Sequence, residues 1–137
     1  MASNRFVLAA LVGGVVVFLA GGLLYGVLTV SFFEANQGSA VGVMREAPEF
    51  LYLVLGQVVL GVLLAVVIDK WARVGGVANG LKIGAIVGLL MGLGVDLTMY
   101  GVTNMANLTA TLVDPLIQTV QMACAGGAIG AVLGPRT

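Results

Sequence analysis

Four long apolar stretches, separated by short polar connections, make up most of the chain. Each stretch can form a helix that crosses the hydrocarbon core of a bilayer, which takes about 20 residues. The pattern therefore predicts an all-α integral membrane protein, a single domain over residues 1–137 folded as an antiparallel bundle of four transmembrane helices. The predicted helices cover approximately residues 6–33, 48–71, 79–104 and 114–134.

Proline and acidic residues mark the predicted ends of these helices. Pro48 suits the first turn of the second helix, and Glu49 beside it complements the positive end of the helix dipole. Asp114 followed by Pro115 predicts the start of the fourth helix, with Asp114 as its N-cap. The first apolar stretch is too long for the apolar region of a signal peptide, so it is interpreted as a membrane helix.

The third and fourth stretches each carry glycines at intervals of four. Residues four apart lie on one face of a helix, so each row predicts a bare surface along half of its helix. Small residues let helix backbones approach closely in a membrane. We expect the two rows to pack on each other, with contact to a second protomer or another protein as the alternative. The rows are Gly80, Gly84, Gly88 and Gly92 in the third helix and Gly126, Gly130 and Gly134 in the fourth.

The composition supports the membrane class. Mean hydropathy is +1.12 and only 9% of the residues are charged, whereas soluble domains average about 25%. The lipid bilayer is therefore a predicted partner. The formal net charge is zero and no basic stretch could follow a phosphate backbone, so nucleic acid is not a predicted partner.

Lys and Arg are divided unequally between the two ends of the predicted bundle. At the end of the predicted bundle opposite the termini, Arg45 is the only Lys or Arg residue. By the positive-inside rule, both termini are predicted to lie in the cytoplasm, as in a multi-pass protein of the bacterial inner membrane. The residues at the predicted cytoplasmic end are Arg5, Lys70, Arg73, Lys82 and Arg136.

Polar side chains continue both glycine rows towards the outer end. At about 1.5 Å per residue, Asp96 is roughly 10 Å inside the outer end of the third helix, and the other helices place polar groups at similar depths. A polar pocket centred on Asp96 is therefore predicted. Its other members are Gln57, Gln118, Gln121, Tyr25 and Tyr100.

Asp96 is interpreted as the one ionisable residue well inside the membrane, because Asp114 is assigned to a helix cap. Without Lys or Arg at its depth, Asp96 is expected either to bind a cation or proton or to be protonated and bonded to a glutamine. Ionisable residues inside membranes are candidates for function. A purely structural hydrogen bond is the alternative.

Catalysis is not predicted. The chain has no histidine, which removes the commonest general base and metal ligand, and no cofactor or metal is predicted. Cys124 is the one cysteine, so it cannot form an intrachain disulfide and is interpreted as a small packing residue. Catalysis by a pair of carboxyls would need Asp96 and either Asp114 or Glu34 at one site, and Asp114 is assigned to a helix cap. The protein is therefore predicted not to be an enzyme.

Several glycine and polar spacings resemble those of small four-helix bacterial inner-membrane proteins of unknown function. The matching residues are Gly21, Gly22 and Tyr25 in the first helix, Gly84, Gly88 and Gly92 in the third, Thr103, Asn104 and Ala106 after it, and Gly127, Gly130 and Gly134 in the fourth. In such families the aromatic residue of the first helix is often followed by Ser-Pro, where this chain has Gly26 and Val27. The resemblance implies a fold and supplies no activity.

Two functions remain open from the sequence. The first is an oligomeric transporter or channel for an ion, proton or small polar solute, with the Asp96 pocket as its site. The second is an accessory or scaffold subunit of a larger membrane complex, docked through its glycine rows. The pocket favours the first, and the scarcity of polar residues in the inner half of the bundle favours the second.

Overall fold

The computed structural model describes residues 3–136, and within them the structure is helical, with one isolated β-bridge between Gln37 and Ala106. Four helical segments are long and apolar enough to cross a membrane, so the all-α class and the four long apolar helices are confirmed. The helices are α1 (Asn4–Leu23), α2 (Val30–Ala35), α3 (Phe50–Val66), α4 (Val77–Val102) and α5 (Leu108–Leu133). A π-helical turn at Leu24–Leu28 extends α1, and another at Val67–Trp71 extends α3.

The predicted start of the last helix is wrong. Helix α5 begins at Leu108, six residues before Asp114, and Asn107 is its N-cap: the Asn107 side chain accepts a hydrogen bond from the Ala110 N–H at 2.9 Å. Pro115 lies inside the helix, where the absent proline N–H removes one backbone hydrogen bond. Its buried ring faces Gly92 of α4, so the proline occupies space that the glycine leaves free. Asp114 is therefore an interior helical residue.

The start of α3 also differs slightly from the prediction. Glu49 is the N-cap residue and Pro48 precedes the helix, so Pro48 is outside the first turn. The first predicted helix is interrupted at Thr29, where the π-helical turn ends and the short helix α2 follows.

The long helices pack in the order α3, α1, α5, α4. Helix α5 contacts α4 along its length and α1 on another side, while α1 also packs on α3. Side chains of α1, α3 and α5 form the apolar core, including Val17, Leu64 and Ile129. Helix α4 is attached to the rest mainly through α5.

The contact between α4 and α5 is made by backbone against backbone. A Cβ atom added at Gly80 would collide with the Gly126 carbonyl group, and one added at Gly84 would collide with the Met122 carbonyl group. Going towards the other end of α4, Gly88 and Gly92 face Gln118 and Pro115 of α5 in the same way. The α4 row thus packs on α5 within one chain, with glycine against glycine at Gly80, Gly126 and Gly130 and glycine against larger residues further along.

Gly134 does not extend this row. It follows the last residue of α5 as the C-cap, with a φ of 75°, and a Cβ added to it would meet nothing within 4 Å. Its positive φ is a conformation that glycine adopts most readily. Gly134 therefore ends α5 and does not pack on α4 itself, although its carbonyl group lies against Gly75 in the connection before α4.

A second close approach joins α1 to α3. A Cβ atom at Gly61 would collide with the backbone of Gly14, and one at Gly14 would touch the backbone of Val58. Gly61 lies outside the two rows of four, so no periodic pattern predicts this contact. The contact between α1 and α3 and the contact between α4 and α5 thus both depend on bare glycine surfaces.

The end of the molecule that carries most of the cations holds one buried carboxylate. The Asp69 side chain, in the π-helical turn after α3, is buried and forms ion pairs with Arg136 and with Lys70, the latter at 2.6 Å. The Lys70 ammonium group also lies 4.9 Å from the ring centroid of Phe6. These contacts tie the segment after α5 to the ends of α3 and α1.

Candidate functional site

Two carboxyl groups meet at the end of the molecule opposite Asp69. Asp96 lies six residues before the end of α4 and Asp114 lies six residues after the start of α5. At about 1.5 Å per residue, both are roughly 9 Å inside their helices, and the antiparallel packing brings them to one level. Asp96 and Asp114 line the same cavity, and Pro115, the residue after Asp114, packs on Gly92, one turn of α4 before Asp96. Asp114, interpreted from the sequence as a cap, is thus the partner of Asp96.

Tyr25 belongs to this site and is presented by a helix distortion. It lies in the π-helical turn Leu24–Leu28, which the backbone N–H and hydroxyl of Thr29 close by donating to the Leu24 carbonyl at 2.9 and 2.7 Å. The Tyr25 hydroxyl donates a hydrogen bond to Asp114 Oδ1. Single π-helical turns often occur at functional sites, and here the turn carries the residue that links α1 to the carboxyl pair.

The predicted glutamines divide between different surroundings. Gln118 joins the site, because its Nε2 donates to Asp114 Oδ2 at 3.4 Å. Gln121 is buried and instead donates to the Val17 carbonyl at 2.9 Å, which joins α5 to α1. Gln57 lies on α3, and its buried Oε1 has no hydrogen-bond partner among the described residues. Gln57 and Gln121 therefore do not belong to the pocket predicted for them, and among the described residues none of the three glutamines forms a hydrogen bond with Asp96.

Asp96 has one oxygen in an unusual position. Asp96 Oδ2 is buried and has no hydrogen-bond donor within the part of the chain that the structure describes. A buried carboxyl oxygen without a donor is costly. A proton or cation held between the carboxyls of Asp96 and Asp114 would satisfy it.

A cavity of about 720 Å³ adjoins the two carboxyl groups. On one side of the cavity are the end of α1 and helix α2, and on the other side are the facing ends of α4 and α5. Glu34 adds a third carboxyl group to the wall, and Tyr100, predicted for the pocket, lines it as well. Among the described residues that line it there is no Lys or Arg. The lining residues are Tyr25, Val30, Phe33, Glu34, Asn36, Gln37, Ala40, Val43, Met44, Asp96, Met99, Tyr100, Thr103, Met105, Ala106, Ala110, Thr111 and Asp114.

Backbone hydrogen bonds hold the connection after α2 against the α4–α5 connection, at the outer edge of this cavity. The N–H groups of Gly38 and Ala40 donate to the carbonyls of Met105 and Asn104 at 3.0 and 2.9 Å. Gly38 leaves room for this approach, since a Cβ there would collide with the Asn104 carbonyl. Asn107 adds two further bonds to Asn36, at 3.1 Å from its backbone N–H and 3.0 Å from its side chain.

The chemistry available at the site is that of carboxyls, a phenol and an amide. Two adjacent carboxyls resist simultaneous ionisation, so such a pair takes up one proton or a positive ligand. Within residues 3–136, no three His, Cys, Asp or Glu side chains converge as a metal site would need. The arrangement can therefore bind and release a proton or a cation.

Comparison of the chain with protein-family models, with curated proteins and with solved structures found no match. The resemblance to small four-helix inner-membrane proteins stays a prediction.

Proposed function

We propose that this chain is a four-span protein of the bacterial inner membrane that transports a cation or protons, acting as an oligomer. The observation that carries the proposal is the carboxyl pair of Asp96 and Asp114, which lines a cavity together with a third carboxyl group, that of Glu34. Tyr25 and Gln118 hold Asp114 in place, so the pair is positioned by three helices.

Membrane insertion is supported by the apolar surface. Large aliphatic side chains project from every long helix, for example Leu19 at 62% exposure, Val59 at 65%, Leu90 at 64% and Leu116 at 59%. Soluble monomers rarely expose continuous apolar surface on this scale. Lipid chains would cover it at no cost.

The orientation follows from a segregation of charge along the bundle. The carboxyl pair lies at the end with Glu34, Glu46 and Glu49, whereas all cations except Arg45 belong to the Asp69 end. The positive-inside rule then places the Asp69 end and both termini in the cytoplasm, and opens the cavity to the outside.

Thiol labelling tests this orientation. In a Cys124→Ser background, Ser39→Cys on the connection after α2 and Ala72→Cys between α3 and α4 place single exposed thiols at opposite ends. We expect a membrane-impermeant maleimide to label Ser39→Cys in intact spheroplasts and Ala72→Cys only after lysis. The opposite pattern would require an inverted protein, and labelling of both in intact spheroplasts would contradict a sealed four-span topology.

In the half of the bundle near the Asp69 end, the contact between α4 and α5 leaves no path for a cation within one chain. There the surface of α4 that faces α5 consists of glycines packed against backbone carbonyl groups. A cation that reached the carboxyl pair could pass further only if α4 moved against α5 or if a neighbouring chain supplied polar groups. For this reason the proposal includes an oligomer.

The same packing bears on the alternative, an accessory subunit that docks through its glycine rows. Each row is covered by the facing helix inside the chain, so the rows offer no free docking face in this arrangement. The carboxyl pair and its cavity have no role in docking through these rows. Transport therefore remains the better-supported proposal.

A flux measurement with one carboxyl removed tests the transport proposal. Asp96→Asn keeps the size of the side chain but removes the second carboxyl of the pair, so we expect proton and alkali-cation flux in liposomes to fall at least tenfold. Glu46→Gln is the matched control, because Glu46 is exposed and does not line the cavity. An internal pH dye and an imposed potential give the readout. Equal flux through wild type and Asp96→Asn would overturn the proposal.

A further inference from the structure

We propose that the cavity beside Asp96 and Asp114 binds a lipophilic organic cation, such as a quaternary ammonium or phosphonium compound with apolar substituents. The inference rests on the proposed function and names the class of ligand that its site takes. Three properties of the cavity support it: size, wall composition and charge.

The volume is much larger than one inorganic ion needs. About 720 Å³ lies within the range of pockets that hold organic ligands, roughly 300–1,000 Å³. An inorganic cation coordinated by the two carboxyls would use only the part of this space next to them. The remainder extends past α2 and the connection after it, and fits a ligand with bulky substituents.

The walls of the cavity are mostly apolar and include aromatic rings. Tyr25 and Phe33 lie side by side with their ring centroids 5.7 Å apart, and Tyr100 lines the cavity from α4. Aromatic faces attract organic cations that shed water readily. Met44, Met99 and Met105 add flexible thioether side chains, which adapt to ligands of different shape.

The charge of the walls selects the sign of the ligand. Glu34, Asp96 and Asp114 are the ionisable lining residues besides the two tyrosines, and the nearby Arg45 is paired with Glu49. An anion would meet uncompensated carboxylates, and a neutral compound would leave the negative charge of the pair unbalanced. A lipophilic cation balances this charge and covers the apolar walls together.

Binding and proton release are linked in this arrangement. When the ligand cation enters, it takes the place of the proton held between the two carboxyls, and that proton passes to water. Charge balances, because one positive charge leaves the pair as another arrives, and no other reactant is needed.

Tetraphenylphosphonium is a suitable probe, since tetraphenylborate has nearly the same shape with the opposite charge. With the full chain in nanodiscs, and empty nanodiscs as the baseline, we expect saturable binding of the phosphonium and none of the borate. Asp96→Asn and Asp114→Asn should each raise the dissociation constant at least tenfold, and Glu46→Gln should leave it unchanged. Tyr100→Leu, on the cavity wall one helical turn from Asp96, should weaken binding by a smaller factor.

The outcomes separate this inference from the proposed transport. Absence of saturable phosphonium binding in a protein that still conducts protons overturns the ligand class and leaves transport standing. Binding that Asp96→Asn, Asp114→Asn and Tyr100→Leu all leave unchanged overturns the assignment to this cavity. Phosphonium binding that depends on these residues, in a protein that moves neither protons nor the phosphonium across liposome membranes, supports the inference and overturns transport.

Discussion

Replacement of Gly84 by alanine is expected to force α4 away from α5, whereas the same replacement at Gly94 is expected to stabilise the protein. Both glycines lie in α4, ten residues apart, and neither is near an end of the helix. A Cβ at Gly84 would collide with the Met122 carbonyl, which is backbone and cannot rotate away, whereas a Cβ at Gly94 would meet nothing within 4 Å.

The two variants should therefore differ in sign. Overpacking of a tight contact costs about 1–3 kcal/mol, and the backbone contact at Gly84 places Gly84→Ala at about 3 kcal/mol of destabilisation, the upper end of that range. Alanine is favoured over glycine inside a helix by about 1 kcal/mol, so Gly94→Ala gains up to that amount. Thermal melts followed by size-exclusion chromatography in detergent measure both. A loss of stability at Gly94→Ala equal to that at Gly84→Ala would contradict the contact between the two helices.

The glycine contact also matters for the candidate site. Helix α4 is attached mainly through α5, and it carries Asp96, while α5 carries Asp114. The distance between the two carboxyls is therefore set by how closely these helices pack. The bare glycine surface that contributes to the fold thus also brings the carboxyls of the site together.

Much of the fold can be predicted from the sequence because its signals are local. The apolar stretches predict helices of the right length and number. The glycine rows are periodic, so the sequence pattern alone indicates which faces of α4 and α5 contact each other. Gly61, which packs on Gly14, has no periodic partner, and its contact is not predictable in this way.

The start of α5 was mispredicted because two signals compete. Asp114 followed by Pro115 is a common start of a helix, but Asn107 also caps one, and a proline is tolerated inside α5 opposite Gly92. The consequence for the site was large, since a residue assigned to a cap proved to be the second carboxyl. The continuous row Asp114, Gln118, Met122 and Gly126 was the signal that Asp114 belongs to the helix face directed at α4.

The glutamines show why depth alone does not define a site. Counting from the predicted helix starts puts Gln57 and Gln121 at a level similar to that of Asp96. Because α5 begins at Leu108, Gln121 in fact lies seven residues further along α5 than Asp114, or about 10 Å deeper, so its predicted depth was wrong. Depth follows from the position along a helix, but the direction of a side chain depends on how the helices pack. Gln121 therefore bonds Val17, and Gln57 lies on α3, which contributes nothing to the cavity wall. The ion pair of Asp69 with Arg136 is likewise not predictable from positions along one helix, because the two residues are distant in sequence.

The second prediction concerns the protonation of the carboxyl pair. If Asp96 and Asp114 share one proton, the folded protein contains one protonated carboxyl group at neutral pH, where exposed carboxyls are ionised. Replacement of either aspartate by asparagine removes one of the two carboxyls between which the proton is shared, so the hydrogen bond of the remaining carboxyl changes and its carbonyl band shifts or disappears. The control variant Glu46→Gln removes an exposed carboxylate and should leave the protonated group in place.

Infrared spectroscopy of the protein in lipid measures this proton directly, through the carbonyl stretch of a protonated carboxyl and its shift in heavy water. We predict one such band in the wild type and in Glu46→Gln, and its shift or disappearance in both Asp96→Asn and Asp114→Asn. A wild-type spectrum without the band, or a band that keeps its position and intensity in both asparagine variants, would contradict the shared proton on which the proposed site depends.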